Sequence, residues 1–244
     1  GLVLASRINF FRPPHGGSIA FANHIREACE RSLRRLRTAH LDLLICEWDD
    51  DLHPVDDLLE AVDRLIRAGF VRYAVAGGFP PWRVVDSLHR SNARQHARFE
   101  ALQADYSLLN RSGFESEAFA MCREHRLGFL ATSPLAGGFL ARRPSSNPEF
   151  DHDWKNERFG SRAGDAVVQI LAGVADKRLA TPAQIALAWV LRNPQVTSAA
   201  ISASTAQEVR SLIGAAGVVL SPEEMRALGN VTTPRASRME LHHV

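Results

Sequence analysis

At 244 residues the chain is long enough for one (β/α)8 barrel or one to two smaller domains, and it can bury a sizeable core. An apolar fraction of 45% and a charged fraction of 23% are ordinary for a soluble globular protein. A net charge of +2, with arginines interleaved with acids, gives no footing for nucleic acid or an anionic membrane, and no apolar run is long enough to span a bilayer.

The elements are legible in chain order. Residues 2–6, LVLAS, read as a strand. Ser18 caps a helix to about Arg37 that carries Phe21, Ile25, Cys29, Leu33 and Leu36 at helical spacing. LDLLIC (41–46) is a strand. Pro54 opens a helix that stops at Gly69, the usual places for these two residues. VRYAVA (71–76), FEALQAD (99–105) and LGFLATS (127–133) are strands, separated by the helices PWRVVDSLHR and SEAFAMCREH. A polar stretch rich in Pro, Ser and Asn then reads as a long loop over 142–161, of the kind that tends to be functional or mobile. Helices follow over 163–177 and 182–193, the second opened by Thr181-Pro182. TSAAIS (197–202) is the last strand, and helices near 205–214 and 222–229 close the fold.

Strand and helix alternating six times imply a parallel sheet with right-handed crossovers, either doubly wound or a barrel. No GxGxxG or GxxxxGK[ST] follows a strand, which weakens the dinucleotide-fold option. In both architectures chemistry sits at the carboxyl ends of strands. Glu47 lies at such an end, followed by Trp48 and three aspartates. The three cysteines, Cys29, Cys46 and Cys122, form no CxxC and read as buried, reduced residues of a cytoplasmic protein. The histidines show no metal-ligand spacing. Of 29 basic residues, only Lys155 and Lys177 are lysines.

Five segments in order then resemble the aldo-keto reductase superfamily: SLRRLRTAHLDLLICEWDD, AGFVRYAVAGGF, LQADYSLLNR, LGFLATSPLAGGFL and TPAQIALAWVLRNPQVTSAAIS. The resemblance runs from about residue 2 to 229. It implies an α/β fold of the (β/α)8 barrel type and NADPH-dependent reduction of carbonyls. A Tyr acts there as general acid, tuned by a Lys, an Asp and a His. Hydride transfer builds negative charge on oxygen, so a proton donor must wait beside it.

Carried over residue by residue, the resemblance places Leu2–Ser6 on the third family strand. The expectation is an incomplete barrel of six βα units over 1–231, with a loose tail over 232–244. The units that carry the family Tyr and Asp have no counterpart, and Tyr73 and Tyr106 fall on non-catalytic positions. The family Lys falls on Arg7 and the His on Glu47, the two candidate catalytic residues. In a branch that reduces carbon–carbon double bonds beside a carbonyl, a protonated Glu replaces that His. A Glu47 packed on Trp48 suits that role; an acidic, solvated rim with Asp49 and Asp50 is the plainer alternative. Arg7 either donates to substrate or pairs with a carboxylate, Glu47 itself being in reach, which would argue against Glu47 as an acid.

For the cofactor, the pair that holds the nicotinamide amide falls on Gly77-Gly78, which with Trp48 are candidate substrate contacts. Gln103 is retained, as a ligand contact or simply an inherited strand residue. Ser133, Leu135 and Gly137 keep a loop whose backbone N–H groups approach the pyrophosphate, or only a turn. Ser202 and Ser204, beside Thr205, remain as weak phosphate donors at a helix N-terminus. The basic residue that marks a 2′-phosphate is missing.

Two functions follow as expectations. One is an NADP(H)-dependent oxidoreductase with an altered or degenerate site, acting on a small carbonyl or enone. The other is a non-catalytic relative that uses the inherited barrel for binding. Six strands cannot close an eight-stranded barrel, so extra local segments, a second copy or a partner chain is expected to cover the open edge.

Overall fold

The computed structural model describes residues 2–9, 17–47, 54–142, 159 and 162–232. Trp48, most of the loop 142–161 and the tail after Thr232 therefore lie outside the described residues, together with the expectations placed on them.

The strands are β1 (Ala5–Asn9), β2 (Leu41–Glu47), β3 (Val71–Gly77), β4 (Phe99–Asp105), β5 (Gly128–Thr132) and β6 (Ser198–Ala199). The helices are α1 (Gly17–Leu36), α2 (Val55–Arg67), α3 (Pro81–Arg94), α4 (Phe119–Glu124), α5 (Arg162–Arg178), α6 (Pro182–Leu191), α7 (Ala206–Ile213) and α8 (Pro222–Val231). The strands form one sheet in sequential order, and the pairs β1–β2, β2–β3 and β3–β4 are parallel. Six strands in chain order, joined by helical crossovers, are the arrangement of an incomplete (β/α)8 barrel.

Three elements depart from expectation. The first strand is Ala5–Asn9, not 2–6. The apolar Leu2 and Val3 are exposed, at 91% and 68%, and pairing with β2 selects the strand instead. The last strand shrinks from 197–202 to two residues, held where Thr197 N donates to Phe129 O and Ala200 N to Ala131 O. The segment expected as a helix over 116–125 is a π-helical turn, Phe114–Ala118, running into α4.

The chain divides into two compact units. The first comprises Gly1–Asp105, Glu117–Leu130 and Gln195–Ser198. On one face of its sheet, Phe21, Ile25, Cys29 and Leu33 of α1 are buried, as their spacing requires. Leu58, Leu59, Val62 and Leu65 of α2 are buried too. Gly69 ends α2 at φ +78°, a conformation that costs glycine nothing. On the other face Ile45, Val75 and Ala101 form a layer with Leu43 and Leu130 packed on it. All three cysteines are buried and unpaired, and burial pushes the Cys46 thiol up to about 12.

The second unit comprises Tyr106–Ser116, Ala131–Pro194 and Ala199–Val244. Ala183, Leu187, Leu212 and Ala215 form one of its apolar clusters, joined by Leu135, Ala199 and Ile201. Two of its helices start on reciprocal caps. Thr181 Oγ1 accepts from Gln184 N while Gln184 Oε1 accepts from Thr181 N, and Ser221 and Glu224 repeat the exchange on α8.

Candidate functional site

Parallel pairing places Glu47 beside Gly77 and Gly77 beside Gln103, so these three form a row across β2, β3 and β4. The row lies at or near the carboxyl ends of the strands. One step below, Ile45, Val75 and Ala101 form the apolar layer on the same face, because strand side chains alternate. Arg7 pairs in register with Ile45, one layer down, and its long side chain rises to the polar row.

Its guanidinium forks there. Nη1 donates to Glu47 Oε1 at 2.8 Å, and Nη2 donates to Gln103 Oε1, also at 2.8 Å. The guanidinium and the carboxyl group thus form an ion pair that is also a hydrogen bond. The Arg7 side chain is 46% exposed and that of Glu47 26%, so solvent reaches both. Gln103 is buried at 6% and anchors the far end.

Gly77 stands between the two acceptors and carries no side chain. A Cβ there would stand 3.0 Å from Ile45 Cγ2, 3.3 Å from Cys46 O and 3.5 Å from Glu47 Cγ. Gly78 has φ +71°, and its N–H donates to Gln103 O at 2.9 Å. A glycine is favoured there by conformation rather than by space, since a Cβ at 78 would meet nothing within 4 Å.

The remaining sequence candidates lie in the second unit. Ser133, Ala136, Gly137 and Gly138 all have positive φ, in a tight turn closed by Ala136 N to Ser133 O and Gly138 N to Leu135 O. Such left-handed runs turn backbone N–H groups outward. Ser202 and Ser204 are exposed ahead of α7. Ser204 N already donates to Glu208 Oε2 at 2.8 Å, and Thr205 Oγ1 accepts from Glu208 N. A carboxylate thus occupies the helix start where phosphate was expected.

Two features escaped sequence reading. One is Glu208, whose spacing from Thr205 is the capping signal that could have revealed it. The other is a hub on Tyr106, whose hydroxyl donates to Glu115 Oε1 at 2.8 Å and accepts from Asn193 Nδ2 at 2.9 Å. Arg111 grips both oxygens of Glu115 and also donates to Gly229 O, tying the loop after β4 to α8. The four-residue spacing of Arg111 and Glu115 was the available clue. Among the described residues, no group of His, Cys, Asp and Glu could hold a metal ion.

The family model for the aldo/keto reductase family matches residues 2–232. The chain belongs to that family. It is 31% identical over 217 residues to an aldo-keto reductase of Fusarium vanettenii, covering 86% of this chain and 58% of that protein. It is 30% identical over 213 residues to the uncharacterized oxidoreductase YrpG of Bacillus subtilis, covering 85% and 63%. It is also 24% identical over 249 residues to a probable voltage-gated potassium channel subunit beta of Arabidopsis thaliana, covering 98% and 76%. The chain therefore spans about three fifths of the length of the first two relatives. Members of the aldo/keto reductase family are oxidoreductases that typically use NADP(H) and act on small carbonyl compounds, and the six-stranded sheet is the family barrel in incomplete form. No described helix is long and apolar enough to cross a membrane.

Proposed function

We propose that this aldo/keto reductase chain binds a carbonyl compound at the row Glu47–Gly77–Gln103, with Arg7 as the group that polarises the carbonyl oxygen. The observation that carries this reading is the Arg7 fork. Two acceptors, each at 2.8 Å, fix a half-exposed guanidinium at the carboxyl ends of the strands. Of five N–H donors only two are committed among the described residues. A fixed donor of this kind stabilises negative charge developing on oxygen.

Gln103 is the proposed contact of a nicotinamide amide, and the neighbouring Gly77 and Gly78 are proposed substrate contacts. Ser133, Leu135 and Gly137 are proposed as backbone contacts of a pyrophosphate, with Ser202 and Ser204 as weaker ones. A bound NADP(H) would supply the hydride. A guanidinium is a poor proton donor and Glu47 Oε1 is engaged by Arg7, so water is the proposed source of the proton. This geometry does not favour Glu47 as the neutral acid of an enone reductase.

The same ion pair supports a second reading, in which the site binds carbonyl ligand and nucleotide without turnover. A similar relative bearing the name of a channel subunit fits that reading.

The deciding experiment is a titration with NADPH, read by nicotinamide fluorescence and calorimetry, followed by NADPH consumption with a panel of aldehydes, ketones and enones. Micromolar binding and turnover that Arg7→Ala reduces by roughly a hundredfold supports the oxidoreductase reading. Binding without turnover selects the second reading. No binding at millimolar NADPH overturns both.

A further inference from the structure

The Arg7–Glu47 pair leaves complementary groups side by side. Arg7 Nη1 lies 2.8 Å from Glu47 Oε1, so that oxygen is engaged, while Glu47 Oε2 has no partner among the described residues. Arg7 retains three uncommitted N–H donors by the same count. Donor and acceptor therefore adjoin on the solvent-reached side of the row, one cationic and one anionic. The pair is neutral overall, which disfavours a substrate that carries a net charge of its own.

From this we infer that the site takes α-hydroxy carbonyl compounds in preference to simple aldehydes and ketones. The carbonyl oxygen accepts from Arg7, and the neighbouring hydroxyl donates to Glu47 Oε2. In the syn conformer the two ligand oxygens are about one hydrogen bond apart, the spacing that adjoining donor and acceptor demand. Both contacts are charge-assisted. The apolar layer of Ile45, Val75 and Ala101 lies directly beneath and offers no competing polar group. A ligand lacking the hydroxyl leaves the carboxylate facing carbon, and sites built to bind a hydroxyl discriminate strongly against such analogues. This inference rests on the proposed carbonyl site and adds its selectivity.

The test uses three matched probes, hydroxyacetone, acetone and methoxyacetone, with the intact chain. Binding is followed by ligand-observed NMR with NADP+ present, and NADPH consumption is followed in parallel. Hydroxyacetone is expected to bind tenfold or more tightly than acetone, because a hydrogen bond to a charged group is worth about that factor. Methoxyacetone keeps the shape but has no proton to donate, so it should behave like acetone. Glu47→Gln, which replaces the free acceptor by a donor, should shrink the gap to less than threefold. Equal binding of all three probes, or a gap that survives Glu47→Gln, overturns the inference and leaves the carbonyl site standing. Failure of every probe to bind overturns the carbonyl site and the inference together.

Discussion

Arg7 on β1 reaches Gln103 on β4 across two intervening strands, with Nη2 and Oε1 2.8 Å apart. Between them lies Gly77, the one position in the row without a side chain. Gly77→Val places branched carbons where even a Cβ already crowds Ile45 Cγ2 and Cys46 O. The expected stability loss is about 1–3 kcal/mol, the range for an overpacked site. Gly77→Ala is milder, because the tight contact at 3.0 Å is to a side-chain methyl that can shift by tenths of an ångström. Denaturant unfolding and hydroxyacetone binding separate the effects. If Gly77→Val retains wild-type stability and binding, the row does not need a glycine at this position.

Tyr106 carries a different load. It is fully buried, stacked on Trp189 with ring centroids 5.7 Å apart, and hydrogen-bonded to Glu115 and Asn193. Burial, then the hydrogen bond to Glu115, raises its phenol well above the usual tyrosine range. A group whose folded pKa is raised stabilises the fold in full below its unfolded value, and that contribution is lost as pH rises above about 10. Stability should therefore fall steeply in alkali, and Tyr106→Phe should flatten that fall. At neutral pH the same substitution should cost roughly 1–2 kcal/mol, since Glu115 keeps Arg111 but Asn193 loses an acceptor. Urea unfolding at pH 7 and pH 10.5 checks both; parallel pH curves for the two proteins would refute the assignment.

Much of the fold was legible because local and tertiary signals agree. The stripe Phe21–Ile25–Cys29–Leu33, the stop at Gly69 and the cap at Thr181 each point to the element that forms. The sheet ends were less legible because pairing, not hydropathy, decides them. Leu2 and Val3 are apolar yet exposed, whereas Arg7 is charged yet lies mid-strand. At the site, the approach of Arg7 to Glu47 followed from the carried-over positions. The bridge to Gln103 did not, because 96 residues separate the two and only the register of three strand pairs brings them together. Glu208 was missed for a local reason: its neighbours Ser202 and Ser204 read as phosphate donors until their own helix supplied the acceptor.

Glu224 ties the second unit together from α8. It accepts from Arg178 Nε and Nη2 at 2.9 and 2.7 Å, and from Ser221 N at 2.7 Å. Arg178 first, and then the Ser221 N–H, hold its carboxyl down at about 2. A group with a depressed folded pKa stabilises above its unfolded value and loses that contribution as pH falls through the folded one. The window here runs from about 4.3 down to about 2. Glu224→Gln should lower stability at pH 7 and make it less dependent on pH across that window. Acid titration of unfolding by circular dichroism tests this, and an unchanged pH dependence would count against the ion pair.

Glu208 sets an expectation for nucleotide choice. Its carboxylate accepts from Ser204 N at 2.8 Å at the start of α7, so negative charge already fills that helix terminus. If the nucleotide phosphate proposed for Ser202 and Ser204 docks there, a 2′-phosphate meets repulsion that an unphosphorylated ribose does not. Glu208→Gln removes the charge while keeping an acceptor for Ser204 N. NADPH should then gain affinity relative to NADH by roughly fivefold at low salt, the scale of one partly solvated charge pair a few ångströms apart. The gain should shrink as ionic strength rises, because exposed charges are screened. Fluorescence titrations of both nucleotides at two salt concentrations decide the matter. A ratio indifferent to Glu208→Gln would show that no nucleotide phosphate approaches the α7 terminus, and would confine cofactor recognition to Gln103 and the 133–138 turn.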